Sequence, residues 1–182
     1  MICRDDSLLL IIDVQDHLFP VMNERERLLK NLLALIQGIN VFNIPILVAE
    51  QYPQGLGHTI EDVQKLLPQT RAHEKITFSC CEDSLLFDAI KATGKKKILI
   101  AGIEAHVCVY QTAMDLLGLG YDVHLIADAV SSRSLNNKQI ALTLMHDAGA
   151  KITSTETTLF EILRKAQGEE FKQISQIVKQ LK

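Results

Sequence analysis

Short apolar runs alternate with helical patterns along the whole chain. Four continuous runs are typical of strands that are covered on both faces of a sheet: 8–12, 45–49, 98–101 and 123–127. The residues around Ile152 suggest a further strand at the sheet edge. Between the runs, apolar residues recur every three or four positions, as in 24–42, where one helix face carries Leu28, Leu32 and Ile39.

This alternation predicts a single Rossmann-like α/β domain over residues 1–182. We expect three layers, with a central, mostly parallel sheet and helices on both faces. An amphipathic helix at about 169–181 should pack on its own domain or on a neighbouring subunit. In such sheets ligands bind beyond the carboxyl ends of the strands. The side chains at those ends are therefore the first candidates for function: Asp13, Glu50, 102–108 and Asp128.

Charge and composition argue against several classes of partner. The formal net charge of −3 and a single basic run, 95–97, do not favour nucleic acid. No apolar run is long enough for a membrane span or a signal-peptide core. The four cysteines form no C-x-x-C pair, which predicts a reducing, cytoplasmic location. Because no glycine-rich phosphate motif follows a strand, we expect no nucleotide cofactor.

Cys108 stands out as a possible nucleophile. It follows the strand 98–101 after a short loop and opens the next helix, where the helix dipole and free N–H groups favour a thiolate. The alternative is a small buried apolar side chain in helix packing. Asp13 ends an apolar strand and is a candidate base or a cap, whereas His106 points to another helix face than Cys108. Spacing alone does not single out Lys75.

Three short motifs resemble the isochorismatase-like cysteine hydrolase family. They are Leu-Ile-Ile-Asp-Val-Gln with Asp13, Glu-Lys-Ile-Thr-Phe-Ser with Lys75, and Gly-Ile-Glu-Ala-His-Val-Cys-Val with Cys108. Segments 50–57 and 128–134 are similar to the isochorismatase domain-containing branch, and the resemblance runs from Leu8 to about Leu163. It implies a triad in which Asp13 takes the thiol proton, Lys75 stabilises the carboxylate, and Cys108 attacks a carbonyl carbon to give a thioester.

The resemblance also has consequences for the surroundings of the triad. The family has a cis peptide bond before its cysteine, which implies a cis Ile103–Glu104 bond and an oxyanion hole that includes the Cys108 N–H. Four further side chains are candidate pocket walls, with plain packing as the alternative role: Gln15, Phe19, Tyr52 and Phe78.

Departures from the family narrow the expected chemistry. Nicotinamidases bind a metal through an Asp-x-His motif after the second strand, where this chain has Glu50-Gln51-Tyr52, and His58 has a different spacing. We therefore expect no metal and no other cofactor.

Isochorismatases proper lack the cysteine, so Cys108 favours hydrolysis of a small amide or a related C–N or acyl bond. The alternatives are isochorismate-like ether hydrolysis, or a non-catalytic binding or scaffold protein. Since the family tends to oligomerise, we expect a homodimer or homotetramer.

Overall fold

Six parallel strands form the central sheet of the protein in a computed structural model, which describes residues 1–181. They are β1 (Ser7–Ile12), β2 (Ile46–Gln51), β3 (His73–Lys75), β4 (Lys97–Ile103), β5 (Asp122–Ser131) and β6 (Lys151–Thr153). The spatial order is β3-β2-β1-β4-β5-β6, and every neighbouring pair is parallel. The order reverses between β1 and β4, so the ligand crevice of such a sheet lies at the carboxyl ends of these two strands.

Helices cover both faces of this sheet. They are α1 (Arg25–Val41), α2 (Pro53–Leu56), α3 (Glu61–Leu66), α4 (Ser84–Ala92), α5 (Tyr110–Gly118), α6 (Leu135–Asp147), α7 (Thr155–Leu163) and α8 (Gly168–Lys179). Alternate side chains of β1 enter two separate cores: Leu9 and Ile11 on one face, Leu8, Leu10 and Ile12 on the other. The predicted three-layer α/β architecture is confirmed, and the sheet is parallel throughout.

One strand was missing from the sequence-based prediction. The segment His73–Lys75 is polar and short, so it lacks the apolar pattern on which strand prediction depends. It nevertheless pairs with the end of β2, with Gln51 opposite Lys75. This pairing decides where the Lys75 side chain enters the molecule.

The apolar face of α8 is buried within the chain itself. Ile174, Ile177 and Val178 belong to the core on the α1 side of the sheet. This resolves the choice between its own domain and a neighbouring subunit in favour of the former. The apolar stripe of this helix is consequently not an exposed surface for a second copy. Within residues 1–181, no helix combines the length and the apolarity that crossing a membrane requires.

Glycine is required where β4 passes the end of β1. Gly102 has φ +127°, and a Cβ atom there would collide with the carbonyl oxygen of Ile12. A side chain would push the two strand ends apart, because backbone atoms cannot give way as a flexible side chain can. The close approach keeps the loop after β4 beside the residue that follows β1.

Candidate active site

The carboxyl ends of three strands bring Asp13, Lys75 and Cys108 together. Asp13 directly follows β1, Lys75 ends β3, and Cys108 lies in a π-helical turn, Ala105–Val109, between β4 and α5. The Lys75 Nζ donates to Asp13 Oδ2 at 2.9 Å, and both side chains are fully buried. The Cys108 thiol is near enough to the carboxyl group for each to shift the pKa of the other.

Asp13 leaves one carboxylate oxygen available. Its backbone adopts a left-handed conformation, φ 53°, which aspartate tolerates better than most residues and which turns the chain sharply after the strand. Its N–H donates to the carbonyl of Ala49 at 3.0 Å, which anchors this turn to β2. Oδ1 is buried and has no hydrogen-bond partner among the residues that the structure describes. A buried, unpartnered carboxylate oxygen is a ready proton acceptor.

The ammonium of Lys75 is fully engaged. Besides Asp13 it faces the Gln51 side-chain oxygen at 2.7 Å and two carbonyl oxygens, of Thr77 at 3.2 Å and Phe78 at 3.3 Å. An ammonium group has three protons, so these four acceptors leave none for a further partner. Lys75 therefore acts as a fixed positive charge on Asp13 in this arrangement.

Gln51 is a site residue that the sequence analysis did not identify. Its Oε1 lies 4.0 Å from the Cys108 Sγ, at the outer limit for a hydrogen bond to sulfur, as well as beside Lys75. Segment 50–57 was interpreted for metal ligands, and Gln51 was passed over as the residue between them. The informative signal was the pairing of Gln51 with Lys75 across β2 and β3, which is visible only once β3 is known.

Burial and charge shift the pKa values of the triad. Burial raises the pKa of Asp13, although the Lys75 charge opposes this. Burial lowers the pKa of Lys75, but the charge and the hydrogen bond of Asp13, together with the neighbouring thiols of Cys80 and Cys108, outweigh it and the pKa is raised. Burial, and then the Asp13 charge, raise the pKa of the Cys108 thiol well above its ordinary value. Asp13 and Lys75 form an ion pair, and the negative charge of Asp13 disfavours the thiolate form of the Cys108 side chain beside it.

The surroundings of Cys108 oppose the thiolate that its place before a helix favours. Cys108 has only 7% of its surface exposed and precedes the first turn of α5, in the π-helical turn. Loss of hydration and a neighbouring carboxylate both disfavour the anion.

The loop before Cys108 is held by its own hydrogen bonds. The Ile103–Glu104 peptide bond is cis. The Glu104 carboxylate accepts from the backbone N–H and the Nε of Arg133, at 3.0 and 3.1 Å. The Nδ1 of His106 lies 2.9 Å from the Ser132 hydroxyl, so this ring is bound away from the sulfur.

Backbone N–H groups remain free in the same loop. The carbonyl of Glu104 accepts from the N–H groups of Val107 and Val109. In the described part of the chain, the N–H groups of Ala105, His106 and Cys108 make no backbone hydrogen bond outside their own turn.

The candidate pocket residues divide into two pairs. Gln15 is fully buried and makes hydrogen bonds to the backbone of Gln51 and Gly57, and Phe19 packs half-buried against the core. Both have packing or positioning roles. By contrast, Tyr52 and Phe78 are 51% and 52% exposed, and their backbones contact Lys75. Their exposed side chains thus belong to residues next to the triad, which keeps both as candidates for the pocket wall.

The residues after β2 do not fit a metal site. Glu50 is buried, and its Oε1 accepts from the N–H and the hydroxyl of Thr59, both at 2.7 Å. Its Oε2 lies 3.0 Å from the Nδ1 of His58, so both oxygens are already engaged. Over residues 1–181, no three His, Cys, Asp or Glu side chains are close enough to share an ion.

Comparison with known proteins gives a uniform result. The isochorismatase domain model matches residues 7–157. Isochorismatase family protein 1B of Dictyostelium discoideum is 41% identical, over 98% of this chain and 89% of its own length. Isc1, a secreted isochorismatase effector of Phytophthora sojae, is 34% identical, over 96% of this chain and 85% of its own length.

Solved structures agree. MAR1 ribonuclease from Caenorhabditis elegans superimposes with a TM-score of 0.92 at 34% identity, covering 98% of this chain and 92% of its own. The YcaC gene product of Escherichia coli, an octameric hydrolase of unknown specificity, shares the fold with a TM-score of 0.93 at 23% identity, covering 98% of this chain and 89% of its own. On the family model, the sequence identities and these superpositions, the chain belongs to the isochorismatase family of hydrolases.

Proposed function

We propose that this protein is a metal-independent cysteine hydrolase of a small amide or a related C–N or acyl bond. One observation carries the proposal: a fully buried Asp13–Lys75 ion pair lies beside the Cys108 thiol, with Asp13 Oδ1 unpartnered. A buried ion pair without a task is costly relative to apolar packing, so a nearby thiol and a free acceptor oxygen favour a catalytic role.

The chemistry proceeds in two halves. The Cys108 sulfur bonds to the substrate carbonyl carbon while its proton passes to Asp13 Oδ1. The C–N bond then breaks, the amine leaves with that proton, and a thioester remains on Cys108. Water next attacks the thioester, gives a proton to Asp13, and releases the acid as the proton returns to the sulfur. The positive charge of Lys75 stabilises the Asp13 carboxylate. Lys75 does not give up a proton, since its N–H groups are engaged.

Backbone N–H groups are suited to stabilise the oxyanion. The N–H of Cys108 and its free neighbours, Ala105 and His106, lie in the turn that carries the nucleophile. A carbonyl oxygen that gains negative charge as sulfur attacks would be stabilised by such donors. Loss of one typically costs about 100- to 1,000-fold in rate.

The test is to trap the acyl intermediate. In a Cys3→Ser background, which removes the exposed thiol, the protein is mixed with a panel of aryl esters, anilides and primary amides. We expect a mass increase equal to the acyl group, mapped to Cys108 and absent in Cys108→Ala. A vinyl ether is included as well, and its hydrolysis without any adduct, retained by Cys108→Ala, would instead support ether hydrolysis. Inactivity over the whole panel would favour the binding or scaffold role.

RNA cleavage is the rival suggested by the MAR1 ribonuclease. The basic run 95–97 lies at the amino-terminal end of β4, whereas Cys108 follows the carboxyl end of the same strand. Lys97 forms an ion pair with Asp6, and Lys95 donates to the Asp5 carbonyl. This distribution does not favour RNA at the triad. A single-stranded RNA belongs in the same panel, and cleavage that is lost in Cys108→Ala would replace the amide proposal.

Phe78→Ala should weaken the binding of substrates with apolar acyl groups. Because the half-exposed ring belongs to a residue next to the triad, we expect KM for benzoyl or isobutyryl substrates to rise by about five- to tenfold, with kcat little changed. Leu119→Ala is the matched control: this side chain is 55% exposed and lies between α5 and β5, at the other edge of the sheet. Equal KM values in wild type and Phe78→Ala would remove Phe78 from the pocket.

Assembly and location remain expectations. We expect a homodimer or homotetramer, but α8 offers no exposed apolar face for it. The octameric state is that of YcaC. A cytoplasmic location stays a prediction from cysteine usage, and one relative is a secreted effector.

A further inference from the structure

Gln51 occupies the space between the ammonium and the sulfur of the triad. We propose that Gln51 is a positioning residue: its side-chain oxygen accepts a hydrogen bond from the Cys108 thiol and holds the Lys75 ammonium on Asp13, away from the sulfur. The distances are 4.0 Å to Cys108 Sγ and 2.7 Å to Lys75 Nζ. The inference rests on the proposed function, since it assigns Gln51 a part in keeping the nucleophile protonated until a substrate arrives.

The orientation of the Gln51 carboxamide is determined by its neighbours. Its Nε2 donates to the carbonyl of Ile76 at 2.7 Å, which leaves the oxygen facing Lys75 and the sulfur. Gln15 holds the Gln51 backbone on both sides, accepting from its N–H at 2.7 Å and donating to its carbonyl at 2.9 Å. If the carboxamide were flipped, its N–H groups would face the Lys75 ammonium, which is also a donor. The side-chain oxygen must therefore face Lys75.

Removing this oxygen would change what the ammonium does. Lys75 would lose its shortest contact and keep two longer ones, to the carbonyl oxygens of Thr77 at 3.2 Å and Phe78 at 3.3 Å. The Cys108 sulfur would then compete with these carbonyl oxygens for an ammonium proton. A thiolate bound to an ammonium forms more easily but is a weaker nucleophile. The same shift would draw Lys75 from Asp13, which must accept the proton.

Several charged or titratable groups surround the sulfur. Asp13 after β1 and Cys80 before α4 raise the pKa of Cys108, whereas Lys75 on β3 lowers it. Gln51 is uncharged and acts by hydrogen bonding alone. A hydrogen bond to the thiol stabilises the protonated form, and its loss should favour the anion.

The experiment measures Cys108 alkylation by iodoacetamide against pH, by peptide mass mapping in the Cys3→Ser background. For Gln51→Met we expect the midpoint to move to lower pH, with alkylation about 3- to 10-fold faster at neutral pH. For Gln51→Glu, which adds a negative charge in the same shape, we expect the midpoint to move to higher pH. Both variants should lose about tenfold or more in turnover, because the triad is mispositioned.

Opposite midpoint shifts are the signature that a merely structural role would not produce. Gln54→Met, an exposed glutamine bound only to Glu74 at 3.3 Å, is the control and should match wild type. Unchanged midpoints, or shifts in the same direction, would overturn the proposal. If Gln51→Met does not fold, Gln51→Leu, which also lacks the side-chain oxygen, decides: an unchanged midpoint would overturn the proposal. Failure of the proposed function is separate: wild type would form no acyl adduct, whatever the alkylation profiles.

Discussion

Cys108→Ala is expected to lower turnover of the best amide or ester substrate by at least about 1,000-fold, because no other group can form the thioester. Residual activity would come from substrate binding and the backbone donors alone. Cys108→Ser should be nearly as inactive, since a serine hydroxyl is harder to deprotonate than a thiol. The measurement is kcat/KM together with far-UV circular dichroism, which should match wild type.

The matched control for this prediction is Cys81→Ala. Cys81 is another partly buried thiol, whose pKa burial raises to about 12, but its side chain makes no contact with the triad ion pair. We expect its turnover to stay within about twofold of wild type, as for substitutions away from the reacting groups. Comparable losses in both cysteine variants would mean that general destabilisation, and not loss of a nucleophile, explains the result.

Lys75→Met is expected to destabilise the protein by about 3–5 kcal/mol at neutral pH. The substitution leaves the Asp13 carboxylate buried without its ion-pair partner, in a site where both side chains are fully inaccessible to solvent. The measurement is urea unfolding at constant ionic strength. Lys65→Met is the control, because the exposed Lys65–Glu61 pair contributes little and its loss should leave the urea midpoint close to that of wild type.

The loss of stability caused by Lys75→Met should be larger at neutral pH than at acidic pH. Burial raises the pKa of Asp13 in the folded protein above its ordinary value of 3.8, and no ammonium opposes this in the variant. The folded state then favours the protonated carboxyl group. The loss of stability should therefore be small below the unfolded-state pKa, grow as the pH rises from there to the folded-state pKa, and stay constant above it.

A second substitution separates charge from packing. Asp13→Asn combined with Lys75→Met removes both charges and should recover most of the stability that Lys75→Met loses, while activity stays absent. If the double variant is as unstable as Lys75→Met, the loss comes from packing around the long side chain. The ion pair would then not be the main contribution of Lys75 to the fold.

The strands and helices that the sequence predicted correctly are those whose burial leaves an apolar pattern in the chain. Strands such as β1 are covered on both faces and are therefore apolar along their length, and α1 shows one apolar stripe because one face is buried. β3 was not predicted, because a three-residue edge strand with an exposed Glu74 need not be apolar. Its pairing is decided by the neighbouring strand.

The site was predictable in part for the same reason. A carboxylate at the end of β1 and a thiol after β4 could be placed near one another from strand order alone. Lys75 was identified only through resemblance. Gln51 and the raised pKa of the Cys108 thiol were missed, because both depend on distances across three strands and on how deeply the groups are buried.

By itself, the sequence determined the layered α/β architecture, because its apolar periodicities leave few other ways to bury the same side chains. It also determined which family the motifs resemble. Only the tertiary structure decided that Gln51 contacts the Lys75 ammonium and lies beside the Cys108 sulfur, that burial raises the pKa of this thiol, and that the apolar face of α8 packs on its own domain. These properties arise from hydration and electrostatics between residues far apart in the chain, which no local pattern records.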